Sequence, residues 1–177
     1  IHGIQIEHKP WPASTLFRYK HFTSVAESIK GTHCIYCDID MLFVAPVGEE
    51  ILNDGLTAVQ HPGFYKGGWG STGCDPRSLA WLPEDKCHGY CAGGFQGGSR
   101  DEYLKMCEIL SQRIDDDESR GVTAIWHDET FWNNYIKTSG VSVKILTPSY
   151  CFPETGYDLP FEKKLLALDK DHKEIRS

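Results

Sequence analysis

The chain has 177 residues and a formal net charge of -7, from 18 basic and 25 acidic side chains, so its overall field repels polyanions and excludes nucleic acid as a favoured partner. At 40% hydrophobic and 12% aromatic, the composition is that of a globular protein able to bury a core without disulfides or a structural metal, and one domain over 1–177 is expected. No apolar run is long enough to span a membrane, no signal-peptide pattern opens the chain, and seven scattered cysteines fit a reducing compartment better than a disulfide framework.

Between Thr15 and Lys30, Leu16, Phe17, Val25, Ala26 and Ile29 recur at helical spacing, and Gly31 supplies a stop. His33 to Tyr36 predicts a short buried strand whose carboxyl end meets Asp38, the end where open α/β sheets place ligands. Leu56 to Gln60 predicts another strand, and Gly63 to Pro76 a mobile loop. Gly89 to Ser99 is dominated by glycine, so the backbone can approach something closely there; a tight turn, a bulged strand and a small-residue floor under a sugar are all open.

Arg100 to Asp115 has the spacing of an amphipathic helix, with Asp115-Asp116-Asp117-Glu118 as its solvated end. Val122 to Trp126 predicts a strand leading into His127-Asp128-Glu129, and Thr130 to Lys137 a helix. Val143 to Leu146 predicts a further strand, Pro148 and Pro153 break the chain, and the charged tail from Asp169 to Arg176 is expected to stay flexible until something binds it.

Two acidic pairs carry the chemistry. Asp38 and Asp40, at alternate positions, turn to the same side of an extended segment and can share one hard divalent cation. Asp128 and Glu129 follow a second apolar run, where partial burial raises the proton affinity of one carboxylate; Asp128 as a helix N-cap is the competing reading. Cys34 and Cys37 form a CxxC, but strand alternation sends them to opposite faces, which disfavours zinc or redox work.

Taken in order, Asp38-Ile39-Asp40, His61-Pro62-Gly63-Phe64-Tyr65, Ala92-Gly93-Gly94-Phe95-Gln96-Gly97-Gly98 and Trp126-His127-Asp128-Glu129 with Asn133 resemble glycosyltransferase family 6, the group of the blood-group A and B transferases. The resemblance implies a GT-A fold, a Rossmann-like α/β sheet with a nucleotide half and an acceptor half. It also implies a manganese ion held by Asp38 and Asp40 against the diphosphate of a UDP-sugar. Arg18 would brace the first aspartate and the nucleotide, and Lys170 and Arg176 would close over the diphosphate. Glu129 would be the nucleophile or ion stabiliser of a retaining transfer, and Asp128 would hold donor-sugar hydroxyls.

Small residues at Ala92, Gly93 and Gly94 would leave room for a 2-acetamido group. The expected activity is therefore transfer of N-acetylgalactosamine, or galactose, in α linkage to the 3-OH of a terminal galactose. His61, Phe64, Tyr65, Trp126 and His127 would form the acceptor side of a galactose-terminated glycan. The family's opening strand and helix would precede Ile1, Ser71-Thr72-Gly73-Cys74 replaces a family Thr-Tyr-Glu-Arg segment, and Phe131 and Trp132 depart from the family pattern. The free-cysteine pattern favours a cytoplasmic microbial or viral protein over an anchored Golgi one. A carbohydrate-binding protein of the same fold without catalysis is the competing function; a zinc-binding module would need paired short cysteine spacings that the chain lacks.

Overall fold

The computed structural model describes residues 3–67, 70 and 75–171. Arg176 and the segment 71–74, both singled out above, lie outside those residues. Among the described residues are four α-helices, α1 (Ala13–Leu16), α2 (Arg18–Ser24), α3 (Arg100–Ser119) and α4 (His127–Thr138). Seven strands accompany them: β1 (His33–Cys37), β2 (Met41–Phe43), β3 (Leu56–Gln60), β4 (Cys91–Ser99), β5 (Val143–Leu146), β6 (Phe152–Pro153) and β7 (Leu165–Ala167).

The larger sheet has the order β1-β4-β3-β5, with β4 antiparallel to both neighbours and β5 parallel to β3, which makes the architecture mixed α/β. Strand alternation divides the interior into two layers. On one face, Leu56 and Ala58 of β3 and Cys91 of β4 pack with Tyr103, Met106 and Leu110 of α3 and Phe131 and Trp132 of α4. On the other, Val59, Ala92 and Phe95 pack with Leu146, Tyr150 and Leu165, beside the small sheet β2-β7-β6. Cys34 joins the first layer and Cys37 the second, the opposite facing that alternation requires.

Strands over 56–60 and 143–146 agree with the sequence pattern, and the helices expected over 100–115 and 130–137 are present but longer, over 100–119 and 127–138, while four expectations change. The helix expected over 15–30 divides at Phe17 and ends at Ser24, followed by a 3-10 turn, Ala26–Ser28. Thr23 and Ser24 donate their hydroxyls to the carbonyls of Lys20 and His21, side-chain bonds that compete with continuation of the helix. β1 is an edge strand, not a buried one, with Ile35 37% exposed and the rest half-buried.

Val122 to Trp126 forms no strand. Gly121, at φ 65°, ends α3, and the segment turns into α4 with the His127 N–H donating to the Ala124 carbonyl. Val122 and Ala124 are buried between exposed neighbours, so the alternation that suggested a strand is real but meets no ladder partner. Asp117, expected in solvent, is buried: it accepts from the Ser78 hydroxyl at 2.6 Å and the Leu79 N–H at 3.0 Å. No helix among the described residues is long and apolar enough to cross a membrane.

Candidate active site

β1 and β4 build the floor. Cys37 pairs with Phe95, and one step on the Asp38 N–H donates to the Gly94 carbonyl at 2.9 Å. The chain then reverses, the Met41 N–H donating back to the Asp38 carbonyl at 3.1 Å, so Asp38-Ile39-Asp40 is a tight turn and not the extended segment expected. Both aspartates nevertheless line one cleft of about 480 Å³, together with Thr15, Arg18, Tyr36 and Lys170. An adjoining cleft of about 270 Å³ shares Thr15, Arg18 and Asp38 and adds Gly93, Gly94, Trp126, Asp128 and Glu129 to its wall.

β4 carries a pronounced irregularity where it enters these clefts. Gln96 faces Ala58 and Cys91 faces Gln60, so five steps along β4 cover two along β3. The extra length swings Gly93 and Gly94 away from β3, and side chains bond the backbone groups there. Gly93 N–H donates to Glu129 Oε2 at 2.6 Å, and its carbonyl accepts from Arg18 Nη1 at 3.3 Å and Gln96 Nε2 at 3.1 Å. Asn133, fully buried, accepts from the Cys91 N–H and donates to the Cys91 carbonyl, both at 2.8 Å, and to the Glu129 carbonyl at 2.9 Å. The small residues have a spatial reason: a methyl on Gly93 would stand 3.1 Å from Glu129, and one on Gly94 3.1 Å from Asp38 Oδ2.

Arg18 joins the two acidic pairs. It reaches Asp38 Oδ1 at 3.3 Å and Asp128 Oδ2 at 3.1 Å, and its guanidinium lies 4.6 Å over the Tyr36 ring. Burial works against its charge, yet Asp128, Tyr36 and Asp38 outweigh it and hold the guanidinium protonated. Asp128 and Glu129 sit in the first turn of α4, where the helix dipole favours negative charge, and no side chain caps the helix, so Asp128 is not its N-cap. Burial pushes Asp128 up to about 6, against the opposing charge of Arg18. Burial likewise pushes Glu129 up to about 7, against the Gly93 N–H and the Tyr90 phenol. Glu129 keeps part of its surface in the cleft.

Among the acceptor-side candidates, Trp126 and His127 line the cleft, His127 at φ 52° turning the chain into α4 with its ring edge-on to Trp11 at 4.7 Å. His61 stacks on Phe64 at 4.9 Å, and both rings pack on Tyr90, whose phenol neighbours Glu129. Burial lowers the His61 proton affinity. Tyr65 packs on Phe161 at 5.4 Å, and Ala92 lies in the interior and not in the wall of either cleft. Lys170 pairs with Asp40.

Sequence reasoning missed Tyr19, Tyr36, Tyr90 and Gln96. Only Gln96 left a trace, as a polar residue in an otherwise small and apolar run. No group of three or more His, Cys, Asp or Glu side chains able to hold a metal occurs among the described residues.

A profile of glycosyltransferase family 6 matches residues 12–177. The chain is 34% identical over 162 residues to histo-blood group ABO system transferase 1 of Rattus norvegicus, covering 89% of this chain and 46% of that protein. It is 28% identical over 148 residues to globoside alpha-1,3-N-acetylgalactosaminyltransferase 1 of Gallus gallus, covering 81% and 43%. It is 23% identical over 178 residues to the O-antigen biosynthesis glycosyltransferase WbnI of Escherichia coli, covering 97% and 74%. The chain thus spans about half the length of the animal relatives it matches. With the profile running through both acidic pairs and the glycine-rich strand between them, the chain belongs to glycosyltransferase family 6, whose members share the GT-A fold.

Proposed function

We propose that this protein transfers N-acetylgalactosamine, or galactose, from a UDP-sugar to the 3-OH of a terminal galactose, with retention and in α linkage. The observation that carries the reading is Arg18, which draws two acidic pairs distant in sequence onto adjoining clefts and holds one aspartate of each. On this reading one pair serves the diphosphate and the other the sugar. The Gallus gallus relative is named as an alpha-1,3-N-acetylgalactosaminyltransferase, the class of transfer proposed for this chain.

Asp38 and Asp40 offer hard oxygen ligands on one cleft wall, a donor set that suits a manganese or magnesium ion taking its remaining ligands from phosphate and water. When bound, such an ion neutralises diphosphate charge. Lys170, now paired with Asp40, is placed to turn onto the diphosphate, and Arg176 is its proposed companion. Asp128 holds sugar hydroxyls. Glu129 presents a carboxylate to the anomeric carbon and stabilises the positive charge that develops there, whether or not a bond forms. The Gly93 N–H holds one of its oxygens in place. A methyl on Gly94 would press on Asp38 Oδ2 at 3.1 Å, and glycine there keeps bulk off the cleft wall against which the 2-acetamido group is proposed to lie.

On the acceptor side, Trp126 and His127 of the cleft lining receive the galactoside, together with His61, Phe64 and Tyr65, which line neither cleft. A soluble microbial or viral setting is proposed with this reading. The test is UDP release from UDP-N-acetylgalactosamine and UDP-galactose, with fucosylated and plain galactosides, in manganese and in chelator, comparing the unaltered protein with Asp40→Asn. Metal-dependent turnover lost in the variant is expected. Sugar binding without turnover under every condition would replace the enzyme with a carbohydrate-binding protein.

A further inference from the structure

Beneath the cleft floor lies a buried polar pair to which no role has been attached. Tyr19 of α2 and Gln96 of β4 are both fully buried inside a layer otherwise made of apolar side chains. Tyr19 Oη lies 3.1 Å from Gln96 Nε2 and 3.4 Å from the Asp128 carbonyl, and Gln96 Nε2 also lies 3.1 Å from the Gly93 carbonyl. The amide N–H groups donate to the Gly93 carbonyl and to the phenol oxygen, and the single phenol proton faces two acceptors, Gln96 Oε1 at 3.2 Å and the Asp128 carbonyl at 3.4 Å. The pair thus lies within hydrogen-bonding distance of both the irregular stretch of β4, at Gly93, and the first turn of α4, at Asp128, behind the side chains that face the cleft.

Stability alone gives little reason for such a pair. Replacing both members of a buried hydrogen-bonded pair with apolar groups of similar shape is close to neutral. Neither carbonyl depends on the pair: Gly93 also accepts from Arg18, and Asp128 sits where an α-helix supplies an intrahelical donor. What the pair adds is direction. The glycine stretch has left its ladder with β3, and while Gly94 keeps a backbone bond to Asp38, the Gly93 N–H and carbonyl are held by side chains, the amide of Gln96 among them.

We propose that Tyr19 and Gln96 are positioning residues for sugar transfer, holding the Gly93 peptide in register with the backbone of Asp128 so that Glu129 and Arg18 meet the donor sugar correctly aligned. The inference rests on the transferase reading above. It concerns residues that touch no substrate and act through Gly93 and Asp128.

The test is a double-mutant cycle of Tyr19→Phe and Gln96→Met, made in the protein as its gene encodes it and read by thermal melting and by steady-state transfer. The double variant is expected to melt within roughly 2–4 °C of the unaltered protein, a change of about 1 kcal/mol for a chain of this size. Its kcat is expected to fall about 10- to 100-fold, the range for a small misplacement of reacting groups, with donor KM changed by less than about threefold. Each single variant is expected to lose nearly as much as the pair, because the two side chains act as one link. A double variant that melts and turns over like the unaltered protein overturns the inference. If the double variant does not fold, Tyr19→Phe, which removes one oxygen, decides alone: wild-type kcat overturns the inference and reduced kcat at unchanged melting supports it. Failure of the unaltered protein to transfer any sugar overturns the transferase reading, and this inference with it.

Discussion

Glu129 shows at the scale of one residue how burial serves chemistry at a cost in stability. Its carboxylate, ordinarily near 4.5, is pushed up to about 7. The protonated form therefore contributes stability that is fully present below pH 4.5 and is lost as pH rises through about 7. Glu129→Gln mimics that protonated form, so its melting temperature should exceed the unaltered protein's above pH 7 and converge with it towards pH 4.5. Part of the side chain faces the cleft, which limits the gap to about 1 kcal/mol, or roughly 2–4 °C. Transfer moves the other way. In the proposed transfer the ionised form is the competent one, so kcat should rise with pH through about 7 and level off, and Glu129→Gln should lose about 1000-fold or more. A melt series and a pH–rate profile check both; an acidic limb that stays unchanged in the variant would assign the titration to another group.

At the scale of elements, α3 does more than cover the sheet. Its last turns carry the acidic run 115–118, and Asp117 alone turns inward, where it holds the Ser78 hydroxyl and the Leu79 N–H and pairs with Arg120. Those bonds anchor the segment 75–80 to the helix end. Asp117→Ala would leave a buried hydroxyl and a backbone N–H without that acceptor, a loss of about 2–4 kcal/mol and roughly 5–15 °C of melting temperature. The contacts lie away from both clefts, so kcat per folded molecule should not change. A melting temperature that stays put would mean water replaces the carboxylate.

For the whole molecule, the segment after β6 straps the turn that bears Asp40. β7 pairs with β2, the Leu168 N–H donates to the Asp40 carbonyl at 3.0 Å, and Lys170 pairs with the Asp40 carboxylate. The divalent ion proposed for that turn would compete with Lys170 for Asp40. Lys170→Ala is therefore expected to bind manganese more tightly without nucleotide, while donor KM rises about tenfold because a cation for the diphosphate is gone. The pair is partly exposed, so the melting temperature should move by no more than about 2–4 °C. Titration calorimetry with manganese alone, then with UDP, separates the two effects; weaker metal binding in both cases would show that Lys170 does not compete for Asp40.

Local pattern by itself pointed to β3, β5, α3 and α4, since α3 repeats its apolar residues with the helical period and β3 and β5 are short runs rich in apolar residues, and the ordered motifs pointed to the family. It also singled out the acidic pairs as the chemistry. Only the tertiary structure decided that they share a site, since the antiparallel pairing of Cys37 with Phe95 and the ion pairs of Arg18 join residues with no local periodicity in common. The same holds for the corrections. Val122 to Trp126 alternates like a strand but finds no partner, β1 has strand composition yet lies at an edge, and Asp117 reads as solvated until Ser78 and Leu79 meet it. Periodicity records which way a side chain faces along its own element. Which element stands opposite is set by long-range pairing, and that appears only when the chain is folded.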